Sequence, residues 1–434
     1  IAHNASFDEA IFQFYGKPRW CPTWRTQLPW QCTADLSAFL GLGRSLKDAA
    51  KHGLGVEVAK TVRKEMMGKR WAELDADTRA SWIAYAGEDA RLSDQLRKEN
   101  ADKWPATERE LSMLTRRMGW RGLMLDADLL RENTLVLRAH AKELLTRIPF
   151  VDENTTPAAR KKFDEACVTA GVPPPTTRAQ KSEEWEKWLE TYGEKVPWAP
   201  AVADYQRVNR MLKLYETLDK RKLTNGRFSY GKKYAGAHTL RWSGGDGFNM
   251  GNLDRGGRHG TDIRNVFIAG PGKRLIGSDL SQIEPRVLAW RAGETDFLDL
   301  CRKGISPYVA HGLMTGRVED AGAFEKARKV KGSDEAHAYS GLKAEVLLLG
   351  YGGGAETFLR SAKVYGIDTD LLNAKRIVTA FRDGRPKVVG LWRELEREWR
   401  MAYSCGHNPI LLPLPSGRHL RYFNPRITDR EAHA

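Results

Sequence analysis

From Ile1 to about Trp104, short apolar runs alternate with stretches of helical period. The last of these, Thr78 to Asn100, keeps Ile83, Ala86, Ala90 and Leu96 at roughly helical spacing. This alternation predicts an α/β domain, with Ile1-Ala2 as the end of a buried strand running into His3-Asn4. After Pro105 the pattern turns helical. Two amphipathic helices are predicted between Thr107 and Pro149, broken at Met118-Gly119-Trp120-Arg121-Gly122 and restarted by Asp126 as an N-cap. A charge-mixed region follows, interrupted at Val172-Pro173-Pro174-Pro175-Thr176-Thr177, and Lys181 to Leu223 is again helical and highly charged, which predicts a protruding arm.

Between Gly226 and Gly272 glycine and asparagine accumulate around Ser243-Gly244-Gly245-Asp246-Gly247, excluding a long helix. Arg274 to Asp279 then reads as a short buried strand and Ile283 to Ala292 as a helix. Glu335 to Leu349 reads as an amphipathic helix ending at Gly350, and Leu411 to Phe423 as a hairpin turned at Ser416-Gly417. No internal repeat is present.

At 434 residues the chain has room for two or three cores. Its 70 lysines and arginines against 55 acids, a net charge of +15, favour a polyanionic partner and bring nucleic acid to the front. Five scattered cysteines (Cys21, Cys32, Cys167, Cys301 and Cys405) include no CxxC pair, which argues against a zinc site and fits a reducing cytoplasm. No apolar run approaches the roughly 18 residues that a membrane span needs. A soluble monomer is expected.

The chemistry concentrates in Ser278-Asp279-Leu280-Ser281-Gln282-Ile283-Glu284-Pro285-Arg286, where an acid at a strand end precedes a helix that carries a second acid. An exposed carboxylate there can share Mg²⁺ with substrate phosphates; alternatively, Asp279 caps the helix. A second cluster, Gly341 to Gly354, puts Lys343, Leu347 and Tyr351 at i, i+4 and i+8 on one helix face. That face offers a cation for phosphates and a flat ring for a base, or else it is core packing with a snorkelling lysine.

The nonapeptide resembles motif A of the family A DNA polymerases, and the second cluster resembles their motif B, in the phage form. The resemblance implies that Asp279 ligates both catalytic Mg²⁺ ions with help from the Leu280 carbonyl. It also implies that Glu284 closes the space beside the sugar C2′ in favour of deoxynucleotides. Gln282, Lys343, Leu347 and Tyr351 would contact the incoming dNTP. Pro285 stands where the family more often has another apolar residue. The family also places an arginine four residues before the lysine, and this chain has Tyr339 there; Arg328, Lys329, Lys331 or His337 could supply that charge from a shifted register.

Arg241-Trp242-Ser243, Asn249-Met250-Gly251-Asn252-Leu253 and Ile263-Arg264-Asn265-Val266-Phe267 look like the primer-gripping segment, implying DNA contacts by Arg241, Asn249, Asn252 and Arg264. Gly251 replaces the usual glutamine. His3-Asn4-Ala5-Ser6-Phe7-Asp8 and Tyr85-Ala86-Gly87-Glu88-Asp89 are similar in order and separation to two motifs of the 3′–5′ proofreading exonuclease. By that likeness Asp8 and Asp89 are metal-site acids, Tyr85 orients the attacking water, and Asn4 supports the site.

The fold implied is α/β and α+β multidomain: an RNase H-like exonuclease remainder (1–106), then a right-hand polymerase. That polymerase comprises a helical thumb (107–237), a first palm segment with motif A (238–290), fingers with motif B (291–400) and a palm return (401–434). The implied partners are primer-template DNA and dNTPs, in a bacterial host cytoplasm if the gene is a phage's. No Asp-x-Glu pair precedes Asn4, and no His-Asp pair follows Leu412 to Arg418 before Ala434. The expectation is therefore a polymerase portion cut at both ends, with negligible primer extension alone. Two rival readings are a single-subunit RNA polymerase, which Glu284 opposes, and a non-catalytic DNA-binding relic.

Overall fold

A computed structural model describes residues 1–12, 30–58, 62, 68–153, 155–179, 182–237, 239–253, 259–362 and 365–427. The chain folds as two packed units, Ile1–Ile276 and Gly277–Ala434. Cys21 and Lys181 lie outside the described residues.

The first unit opens with α1 (Ala5–Ile11), α2 (Thr33–Phe39), α3 (Leu46–Leu54) and α4 (Ala76–Asn100). The α/β expectation for this stretch is corrected: its described residues are helical apart from one parallel bridge between Ala2 and Cys32. Ala34, Leu36 and Phe39 are buried on α2, a run too short for periodicity to distinguish helix from strand. Ile1, 52% exposed, is not the end of a buried strand.

The helices α5 (Ala106–Arg121) and α6 (Ala127–Thr146) flank the predicted break. Gly122 ends α5 at φ 61°, with the Phe228 carbonyl so close that a Cβ would collide with it. Asp126 then caps α6 by accepting a hydrogen bond from the Leu129 amide at 3.0 Å. Beyond lie α7 (Arg160–Thr169), α8 (Glu183–Tyr192) and α9 (Trp198–Lys220). The long helix α9 packs along α6, burying Leu130, Leu137, Leu144, Val202, Val208 and Tyr215 in the largest core. The charged stretch read as a protruding arm also feeds this core, through Trp185 and Trp188 packed against Phe163 of α7.

A small antiparallel sheet of order β2-β1-β5 joins β1 (Leu123–Leu125), β2 (Arg227–Phe228) and β5 (Phe267–Ile268). A second ladder pairs β3 (Gly231–Lys233) with β4 (Ser243–Gly245). As expected, among the described residues no long helix crosses the glycine-rich stretch, which holds short turns such as Met250–Asn252 and Ile263–Val266.

Arg274 to Asp279 is the other correction. It forms no regular element, pairs with no strand among the described residues, and is exposed throughout, Ile276 at 92%. The apolar pattern of a strand is present; the ladder partner that would bury it is not among the described residues.

The second unit is a helical stack: α10 (Ile283–Ala292), α11 (Thr295–Arg302), α12 (Pro307–Met314), α13 (Ala321–Ala327), α14 (Asp334–Leu349), α15 (Ala355–Ala362), α16 (Leu371–Asp383) and α17 (Pro386–Ser404). The hairpin of β6 (Ile410–Pro413) and β7 (His419–Tyr422) follows, turned where Ser416-Gly417 predicts. Among the described residues no helix is long and apolar enough to cross a membrane.

Candidate active site

Four of the predicted residues, Asp279, Leu280, Gln282 and Glu284, sit where α10 begins. Its N-cap is Gln282, in the left-handed region at φ 53° and without a side-chain cap bond, so Asp279, three residues earlier, does not cap the helix. The capping alternative falls, and Asp279 is left exposed on irregular chain beside the exposed Leu280. A non-glycine residue at positive φ is uncommon and carries a cost. Here the kink rotates the chain sharply between the acid and the helix, and the Gln282 amide reaches Ser306 Oγ at 3.3 Å. Glu284 lies in the first turn of α10.

Helix α14 begins with Ser333 capping the Ala336 amide at 3.1 Å. Leu342, Val346 and Leu349 face the core, and Lys343 stands exposed on the other side with the partly exposed Leu347. The stripe is mixed: Lys343 is exposed, while Leu347, like Tyr339, packs partly against the core formed by Tyr308, Val309, Val318, Leu342 and Val346. Just beyond its end, Tyr351 Oη donates a 2.7 Å hydrogen bond to Glu284 Oε2. That bond joins the two clusters across 67 positions of sequence.

The back of α14 is anchored by a group that sequence reasoning missed. Glu345 is buried, accepts from both terminal nitrogens of Arg317, and bonds His311 Nε2 at 3.1 Å. Burial pushes the His311 imidazole below its ordinary range, partly offset by the Glu345 bond. Burial would raise the Glu345 carboxyl, but the bonds from His311 and Arg317 and the Arg317 charge outweigh it and hold it low. A buried acid on an otherwise apolar helix face was the available signal.

In the first unit, Arg241, Asn249, Asn252 and Arg264 are exposed. Asn249 turns its side chain back to accept from the Gly251 amide at 3.0 Å, and Arg264 donates to the Leu253 carbonyl at 2.8 Å. Beside them Lys232 lies 4.6 Å over the Trp242 ring, a basic and aromatic pair absent from the sequence reading. At the N-terminus, Asn4 precedes α1 at φ 68° and Asp8 is exposed in its first turn, while Tyr85 and Asp89 share one face of α4. Among the described residues no three His, Cys, Asp or Glu side chains gather where they could hold a metal. Buried Glu9 and Asp35 instead converge on Arg116, at 3.1 Å and 3.3 Å.

No protein-family model matches the chain. It is 26% identical over 358 residues to a DNA polymerase I of Chloroflexus aurantiacus, an alignment covering 76% of this chain and 36% of that protein. It is 22% identical to the DNA polymerase of Bacillus phage SP02, across 98% of this chain and 72% of the relative. The chain therefore spans little more than a third of the bacterial relative's length. Its fold matches the polymerase domain of Pol1 from M. smegmatis, solved with a DNA primer-template and dNTP, at a TM-score of 0.60 and 18% identity over 91% of this chain and 64% of that one. With a polymerase-domain fold and two polymerases aligned across most of its length, the chain is a relative of DNA polymerase I and of phage DNA polymerase.

Proposed function

We propose that the α10–α14 surface is the nucleotide-binding part of a template-directed DNA polymerase, which adds dNTPs to a primer 3′ end. The observation that carries this reading is the Tyr351–Glu284 hydrogen bond, because it fixes the α14 face against the start of α10, just after Asp279. Lys343 then donates to the phosphates, the Tyr351 ring lies against the base pair, and Glu284, held by Tyr351, crowds the sugar C2′ and favours deoxynucleotides.

The donor set fits Mg²⁺: the hard oxygens of Asp279 and the Leu280 carbonyl would hold it together with substrate phosphates, in keeping with its partial dehydration at such sites. When bound, the metal supplies charge neutralisation at the phosphates and acidity at the primer hydroxyl. The full reaction would use two such ions. Arg241, Asn249, Asn252 and Arg264 would hold the primer duplex through groove acceptors common to all base pairs. The same reading assigns 107–237 to a thumb, 238–290 and 401–434 to palm segments and 291–400 to fingers. It also assigns 1–106 to a 3′–5′ exonuclease remainder with Asn4, Asp8, Tyr85 and Asp89 at its site.

Calorimetric titration of the 434-residue chain with Mg²⁺-dNTP tests the reading. Saturable binding is expected, weakened about tenfold by Lys343→Ala, the loss of roughly one charge-assisted contact. Unchanged affinity in Lys343→Ala would overturn it.

A further inference from the structure

Tyr339, Lys343 and Leu347 follow one stripe along α14 at four-residue steps, each about 6 Å of axis, and Tyr351 lies in the turn just past the helix end. One end of the stripe is tied to Glu284 by Tyr351. The other end carries a cation that does not belong to the helix. The Arg328 guanidinium, just past α13, lies 4.0 Å over the Tyr339 ring, which Tyr308 in turn meets nearly perpendicularly at 5.7 Å. Glu325 holds the same guanidinium through Nε at 2.7 Å and Nη2 at 2.6 Å. Those bonds use two of its five N–H donors, and the side chain is 26% exposed.

We propose that Arg328, seated on Tyr339, is the second phosphate-binding cation of the nucleotide site, gripping the distal phosphates of a triphosphate whose inner phosphates meet Lys343. The inference rests on the reading of the α14 face given above and names a residue that face does not itself contain. Three features support it. The ring and the carboxylate fix the guanidinium before any ligand arrives, so little side-chain entropy is lost on binding. The ring that seats Arg328 belongs to the residue about one helical turn before Lys343, an offset that suits an extended polyphosphate better than a single phosphate. Lys329, Lys331 and His337, the other nearby cations, are exposed, and His337 directs Nδ1 to the Ser333 carbonyl at 2.9 Å.

The test compares dTTP and dTMP affinities of the 434-residue chain in Mg²⁺. The ratio is taken within one protein sample, so partial unfolding of a variant does not shift it. Arg328→Ala is expected to reduce the dTTP preference roughly tenfold, with dTMP binding nearly unchanged. Tyr339→Phe should keep the wild-type ratio because the ring remains, and Arg328→Ala with Tyr339→Arg should restore most of the preference by returning the charge on the helix itself. An unchanged ratio in Arg328→Ala alongside a reduced one in Lys343→Ala would overturn the inference, leaving Arg328 as a staple between α13 and α14 and the polymerase reading intact. If neither variant changes the ratio, both fall.

Discussion

The acids near the N-terminus and those at the start of α10 are placed in opposite ways. Glu9 and Asp35 are buried and share one arginine, and Arg44 and Ser112 bond Asp35 further, at 2.7 Å and 2.6 Å. Burial pushes the Glu9 carboxyl up even with Arg116 beside it. These groups hold helices together, and their oxygens are occupied. Asp279 is exposed on irregular chain, and Glu284 is partly exposed and accepts a hydrogen bond from the Tyr351 hydroxyl. An acid available to a ligand is one whose neighbours orient it without neutralising it.

The largest effect that could break this contrast is at Arg116. Replacing it with Met strands the buried Glu9 carboxylate and leaves Asp35 with Arg44 and Ser112 alone, and a loss of about 3 kcal/mol is expected in urea unfolding, with dNTP affinity unchanged. A loss below about 1 kcal/mol would mean the buried acids are not held by this pair.

Next comes Glu345, which tests whether a buried acid can serve the exposed site indirectly. Glu345→Gln should cost about 3 kcal/mol, since Arg317 and His311 lose their charged partner. The sign of the pH dependence follows from two lowered groups. His311, ordinarily near 6.5, binds a proton more weakly folded than unfolded, so stability falls as pH drops below that value. The depressed Glu345 contributes stability that is lost as pH falls from its ordinary 4.5 through its lower folded value. Thermal melts between pH 7.5 and pH 4 should therefore decline in both intervals, and the lower-pH decline should vanish in Glu345→Gln.

The smallest effect sharpens the contrast. Tyr351→Phe removes one partly exposed hydrogen bond, so stability should hardly change. The preference for dNTP over rNTP should narrow roughly fivefold, about 1 kcal/mol of orientation at Glu284. An unaltered preference would separate Tyr351 from sugar selection.

What the sequence made legible was local. The bounds of α10, the cap at Asp126, the break at Gly122 and the β6–β7 turn each depend on a few adjacent residues with strong conformational preferences. The helix α14 itself was legible from its spacing, although it ends before Tyr351, which the sequence reading puts on the same face as Lys343 and Leu347. Contacts across long separations were not legible: Glu284 with Tyr351, Glu9 with Arg116, and Arg328 over Tyr339 from a neighbouring helix. Arg274 to Asp279 marks the opposite limit, since a short apolar run states a preference that only a pairing strand can realise.

The central claim is that residues 279–286 and 339–351 act on one nucleotide. Hydrogen–deuterium exchange of the chain with and without saturating Mg²⁺-dNTP tests it most directly. The account predicts new protection in both segments together, lost together in Lys343→Ala. Protection in neither, or in one alone, would contradict it.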